Sequence, residues 1–147
     1  LFVAGANPAW CPPILWRRVE AAKERNPQLK IIVSDPRKTQ TCELADIHLQ
    51  VNPGTDIVLH HAIGRLIIEM GAVDQHFIQQ HAEGFEAYRE SVFLRTIEEA
   101  ALICGVSTAA IKQTASFIAG AKALSIFAIF RLIAANSFAR SCSCFTF

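Results

Sequence analysis

The chain has 147 residues, 52% of them apolar and 18% charged, with a formal net charge of +1. That is one domain's worth of polypeptide, long enough to bury about two thirds of its unfolded surface and drier than an average soluble domain. Near-neutral charge without a basic block gives a nucleic-acid backbone little to hold, so a nucleic-acid partner is not expected.

In chain order, "LFVAG" at 1–5 is an apolar run of strand length. It opens without an initiator Met, a cap or a signal peptide, so the chain is expected to be cut from a longer one. After a proline-rich loop, "ILWRRVEAAKER" at 14–25 predicts a helix. Ile14, Val19 and Ala22 fall near one face, with Arg17, Arg18, Lys23 and Glu24 largely on the other. "LKIIV" at 29–33 is a continuous apolar strand, expected to be buried on both faces, and "IHLQV" at 47–51 alternates, as suits a strand nearer an edge.

The rest reads as helical. From Thr55 to Met70, Leu59, Ile63, Leu66, Ile67 and Met70 form one stripe, with Thr55 as the expected N-cap and Gly71 as the stop. Asp74 is expected to cap a helix through His81 that Gly84 closes. Two more helices follow at 96–105 and 107–120, the second capped by Ser107. Beyond Lys122 the chain contains no Asp or Glu; "ALSIFAIF" suits a fourth strand. Arg131 interrupts that apolar run before the ~20 residues needed to span a bilayer, so no membrane segment is expected. This alternation predicts an α/β fold: a Rossmann-like parallel sheet with flanking helices and a helical second half.

In such a sheet, ligands bind outside the carboxyl ends of the strands. Three loops are expected there: "GANPAW", "SDPRK" and "NPGTD". Gly5 allows close backbone approach, and Asn7 offers a donor and an acceptor. No G-x-G-x-x-G is present, so the ordinary dinucleotide fingerprint is absent. Asp35 stands where dinucleotide folds place the acid that holds ribose hydroxyls, and Arg37 and Lys38 can neutralise a pyrophosphate. Gly54 gives a tight turn into Thr55 and Asp56. A carboxylate at that helix start gains about 0.3–1 kcal/mol from the helix dipole. It disfavours a phosphate but suits the parallel N1–H and N2–H donors of guanine. The alternative is that Asp35 and Asp56 are only turn and cap residues.

The other chemistry-bearing residues give less. The five cysteines, at 11, 42, 104, 142 and 144, include no C-x-x-C pair, so buried or incidental thiols are expected. His60 and His61 point apart on a helix, and His76 and His81 are five apart, so no metal site is indicated. No nucleophile shows a His-acid partner, and no catalytic residue is expected in this chain.

"GANPAW" followed by "VSDPRKTQTCELADIHLQVNPGTD" resembles the molybdopterin oxidoreductases of the dimethyl-sulfoxide-reductase superfamily. The pattern DPR-x-T…AD-x-x-L…PGTD carries the likeness, which runs to about residue 122 and is strongest to the large subunit of assimilatory nitrate reductases. The resemblance implies a bis-molybdopterin guanine dinucleotide cofactor with molybdenum. Its contacts would be Gly5, Ala6 and Asn7, then Ser34, Asp35, Pro36, Arg37 and Lys38, then Gly54, Thr55 and Asp56. It further implies reduction of nitrate to nitrite by the parent enzyme, a 4Fe-4S cluster whose ligands lie outside this chain, and a cytoplasmic location. The partners implied are the remaining domains of the parent subunit and an electron donor.

The family this chain resembles usually has His-Pro where this chain has Pro12 and Pro13, so the helix entry after the first loop is expected to differ. Residues 1–122 are therefore expected to be part of the cofactor-binding α/β domain, and 123–147 an atypical apolar tail of the kind a frameshift produces. The alternatives are a free-standing nucleotide-binding regulatory module and a nonfunctional truncated product.

Overall fold

The structure is a computed structural model that describes residues 1–128; the part of the expected tail at 129–147 lies outside the described residues. Four short strands, β1 (Phe2–Ala4), β2 (Ile32–Ser34), β3 (Ile47–Leu49) and β4 (Ile126–Ala128), form one parallel sheet in the order β3-β2-β1-β4. This is the α/β arrangement the alternation predicts, with the alternating strand at an edge and Ile126–Ala128, within the expected fourth strand, pairing with β1. The order matches the first half of a dinucleotide-binding sheet.

Successive side chains of a strand point to opposite faces, so each strand feeds two cores. Val3 and Val33 pack on one face with Ala6, Ile31, Cys42 and Trp16 of α1 (Pro13–Arg25). Phe2, Ile32, Ile47 and Leu49 pack on the other with α2 (Asp56–Glu69), α5 (Ile97–Cys104) and α6 (Thr108–Ala119). Fully burying one such Leu or Ile contributes about 1.5–3 kcal/mol, which is why both sheet faces demand a helical cover.

Several residues depart from expectation. Ile14 is 79% exposed, and Trp16 is the buried anchor of α1. Two residues turn a helix by about 200°, so a face set by Trp16 and Val19 leaves Ile14 outside. Met70, at the end of the α2 stripe, is likewise exposed. Gly84 does not close α3 (Gln75–His81), which ends at Ala82; at φ +74° it opens a helix the periodicity reading passed over, α4 (Phe85–Val92). Tyr88 docks that helix against Gly64 of α2, where any Cβ would collide with the Tyr88 hydroxyl. Arg65 adds a guanidinium over the Phe93 ring, 4.9 Å from its centre, and a 2.7 Å hydrogen bond to the Arg95 carbonyl. The expected caps at Asp74 and Ser107 are present, and Thr96 with Glu99 forms a reciprocal capping box. Among the described residues no single helix is long and apolar enough to cross a membrane.

The amino edge of the sheet is stapled by Asp46. Its Oδ2 accepts from Lys23 Nζ and from the Ile31 amide, both at 2.8 Å, and Lys30 Nζ lies 3.5 Å from Oδ1. One carboxylate thereby joins α1, the start of β2 and the start of β3. Burial pushes the Asp46 carboxyl up, but hydrogen bonds from Lys23 and Ile31 and the two lysine charges outweigh it, leaving it below 3.8. A carboxylate depressed on folding contributes stability that is complete above its unfolded value and is lost as pH falls through the folded one. Stability should therefore drop below about pH 4. Asp46→Asn should lose part of that dependence and cost roughly 1–3 kcal/mol at neutral pH, read as urea midpoints across a pH series.

Candidate functional site

The register sets Ala4 beside Ser34, and Ser34 beside Leu49. The loops that follow β1, β2 and β3 therefore leave the same edge of the sheet. Strand order also reverses at β1, with β2 and β3 on one side and β4 on the other. A crevice outside the carboxyl ends at such a reversal is where open α/β sheets place their ligands.

The first two loops are joined directly. Gly5, at φ +59°, donates its amide to the Ser34 carbonyl at 2.8 Å. Ala6 is buried in the α1 core. Asn7 accepts on its carbonyl from the amides of Trp10 and Cys11, each at 3.0 Å, and on its Oδ1 from Thr41 Oγ1 at 2.7 Å. In the second loop Asp35 is only 4% exposed, and its Oδ1 accepts from the Arg37 amide at 2.7 Å. Asp-Pro turns use this bond to close on themselves. Pro36 follows, and the Arg37 and Lys38 side chains stand in solvent; Arg37 Nε lies 3.9 Å from Asp35 Oδ1.

One side chain of the edge strand and the residue just after it also hydrogen-bond to this loop. His48 Nε2 lies 3.0 Å from the Asp35 carbonyl, and Gln50 Nε2 donates to the Pro36 carbonyl at 3.1 Å. A carbonyl only accepts, so His48 carries its proton on Nε2. Thr41, His48 and Gln50 were not among the sequence candidates. The alternation of "IHLQ" held the signal for two of them: His48 and Gln50 alternate with Ile47 and Leu49 and so belong to the other face.

The third loop shares the edge but leans elsewhere. Asn52 is bound to the end of α5, its amide to the Cys104 carbonyl at 2.8 Å and its side chain to the Ile103 carbonyl at 2.9 Å. Gly54 turns at φ +82°. Thr55 occupies the N-cap position of α2 without capping: at ψ 9° its hydroxyl points back and donates to the Asn52 carbonyl at 2.7 Å. Asp56 begins α2 and is exposed. Burial lowers the His60 imidazole below its ordinary value, against the opposing pull of Asp56 one turn earlier. Among the described residues no hydrogen bond joins 54–56 to Asn7 or Asp35.

The model of the molybdopterin oxidoreductase family matches residues 1–138. The chain belongs to that family. The matched span of this molybdopterin oxidoreductase segment includes β4 and runs past residue 122, where the composition changes. It is 40% identical to the nitrate reductase of Synechocystis sp. over 121 residues, covering 82% of the chain and 17% of that protein. Formate dehydrogenase H of Escherichia coli is 42% identical over 126 residues, 86% of the chain and 17% of that protein. Among solved structures, acetylene hydratase from Pelobacter acetylenicus superposes with a TM-score of 0.75 at 30% identity, covering 85% of this chain and 17% of that one. The segment thus spans about a sixth of each relative, and their names cover a reductase, a dehydrogenase and a hydratase.

The family implies a molybdenum–pterin cofactor. The carboxyl edge carries polar groups that suit the phosphate of such a group: two exposed cations, one buried carboxylate with Oδ1 engaged, and one amide with Oδ1 engaged. Ser34 does not contribute its hydroxyl to that set. Its Oγ is sealed from solvent and has no hydrogen-bond partner among the described residues. A buried unsatisfied hydroxyl carries a desolvation cost, so Ser34→Ala should raise the stability of the chain by about 1 kcal/mol, measured by urea unfolding.

Proposed function

We propose that this chain holds the guanine dinucleotide end of a bis-molybdopterin guanine dinucleotide cofactor, with sugar and pyrophosphate at the second loop and the base at the third. The observation that carries this reading is the buried Asp35 carboxylate at the carboxyl end of β2, flanked by Arg37 and Lys38. With Oδ1 taken by the Arg37 amide, Oδ2 is left to accept from ribose hydroxyls. The Arg37 fork engages the pyrophosphate in bidentate fashion, and Lys38 adds a point charge. Gly5 brings backbone close to the same group. Asp56, exposed at the start of α2, accepts from the paired N–H edge of guanine. Because the third loop is anchored to α5 rather than to Asn7 or Asp35, the nucleotide itself bridges the second and third loops.

When bound, the cofactor supplies two-electron chemistry at its metal; the residues of this chain bind it, orient it and neutralise its phosphates. In our reading the enzyme that contains this segment is a cytoplasmic nitrate reductase. Its other domains hold an iron–sulfur cluster and receive electrons from a donor protein. The 40% identity with a cyanobacterial nitrate reductase supports nitrate as substrate. Formate oxidation is the second reading, favoured by 42% identity with formate dehydrogenase H.

Calorimetric titration of the chain with guanosine, adenosine and cytidine diphosphates tests the site. The guanine nucleotide should bind tightest. Asp56→Ala should weaken it about tenfold, the ~1.5 kcal/mol of a hydrogen bond to a charged group, without affecting the other two. Equal affinity for all three in the unmodified chain would remove the base-reading role of Asp56. For the reaction, the enzyme carrying this segment should reduce nitrate when supplied with a reduced viologen dye. Formate oxidation without nitrate reduction would transfer the assignment to the second reading.

A further inference from the structure

We propose that Thr41 is a positioning residue that sets the polarity of the first loop. It locks the Asn7 amide with its oxygen inward, so that Asn7 presents only NH2 and reads an acceptor oxygen of the ligand's pyrophosphate. This rests on the nucleotide reading above and adds to it which end of Asn7 faces the ligand, and why.

Thr41 is fully buried, with 0% exposure, so its hydroxyl hydrogen must find an acceptor inside the protein. Its oxygen already accepts from the Ala9 amide at 3.3 Å. Among the described residues the acceptor within reach of the hydroxyl is Asn7 Oδ1, at the 2.7 Å expected of a good O–H···O bond. Turning the amide over would replace the acceptor with an N–H and strand the hydroxyl hydrogen without a partner. The orientation of an Asn amide follows from its network, and here the network allows one.

The latch has a rigid base. Thr41 lies in the short 3-10 turn Gln40–Leu44, whose next residue, Cys42, is buried in the α1 core with Trp16 and Val33. The Asn7 backbone is held independently by the amides that its carbonyl accepts from Trp10 and Cys11. Asn7 Nδ2 then has no hydrogen-bond partner among the described residues, and Asn7 as a whole is only partly buried. The rim separates by polarity: Asp35 only accepts, whereas Asn7, Arg37 and Lys38 only donate outward. Sugar hydroxyls belong at the first and phosphate oxygens at the others.

Comparing guanosine diphosphate with guanosine isolates the phosphate contact. Thr41→Val removes the hydroxyl at nearly constant shape. It should weaken the diphosphate about tenfold and leave guanosine unchanged, while Thr41→Ser stays within about twofold of the unmodified chain for both. Asn7→Asp keeps an oxygen for Thr41 to bond but replaces the outward NH2 with negative charge, so it should lose the diphosphate selectively as well. Asn7→Asp decides the matter if Thr41→Val does not fold. The proposal is overturned if Thr41→Val binds the diphosphate normally, if it loses both ligands equally, or if Asn7→Asp retains the diphosphate. An unmodified chain that binds no diphosphate overturns the nucleotide reading and this one together. An unmodified chain that prefers the diphosphate, with variants that are indifferent, overturns this one alone.

Discussion

Because β1, β2 and β3 pair in parallel with Ala4, Ser34 and Leu49 side by side, each chain segment that follows a strand must emerge at one edge. Parallel pairing also forbids tight hairpins, so each return to the amino edge needs a crossover. In this chain α1 joins β1 to β2, the short 3-10 turn Gln40–Leu44 joins β2 to β3, and the long helical stretch from α2 to α6 joins β3 to β4. The helices cover both faces of the sheet, and the loops that follow β1, β2 and β3 line its carboxyl edge. Separate from the packing, strand order reverses at β1, and the carboxyl edge at such a reversal is where open α/β sheets bind their ligands. The candidate site is in this sense a consequence of topology, and its residue types decide what the topology is used for.

The pattern that marks the family divides between two edges with different physics. At the carboxyl edge, Asp35, Pro36 and Arg37 close a turn that buries a carboxylate and points a guanidinium outward. At the amino edge, Asp46 receives two lysines and a backbone amide and holds three elements together. Both aspartates lie on the same loop-and-strand stretch, eleven positions apart. One has its donors supplied by the fold, while the other keeps part of its accepting capacity. A shared motif therefore does not mean a shared role: Asp46 is a staple, and its pH dependence belongs to stability rather than to binding.

The helix termini and the sheet were legible in the sequence because their causes are local. Asp74 and Ser107 sit before amphipathic runs and satisfy the first free amides, as their side-chain chemistry requires. Within "LKIIV", Ile31, Ile32 and Val33 are all apolar and buried because they lie inside the sheet with a helix layer on each side. Where the reading failed, the cause was not local. Helix α4 holds its place through Tyr88 against a glycine of α2, a contact 24 positions distant that no window of periodicity includes. Thr55 looks like a cap from its neighbours, yet the backbone at ψ 9° turns its hydroxyl back on Asn52.

The sequence by itself determined that three turns bearing Gly5 and Asn7, Asp35 and Arg37, and Gly54 and Asp56 would lie at the ends of strands, since strand length, turn chemistry and alternation are written within a few residues of each position. Only the tertiary structure decided how those turns relate. It tied the first to the second through Thr41, set His48 and Gln50 under the second, and drew the third toward α5. It also sealed the Ser34 hydroxyl beneath the rim. The physical reason is that a hydrogen bond or a buried contact between residues 34 or 51 positions apart depends on how the elements between them pack, and that packing is a property of the whole fold.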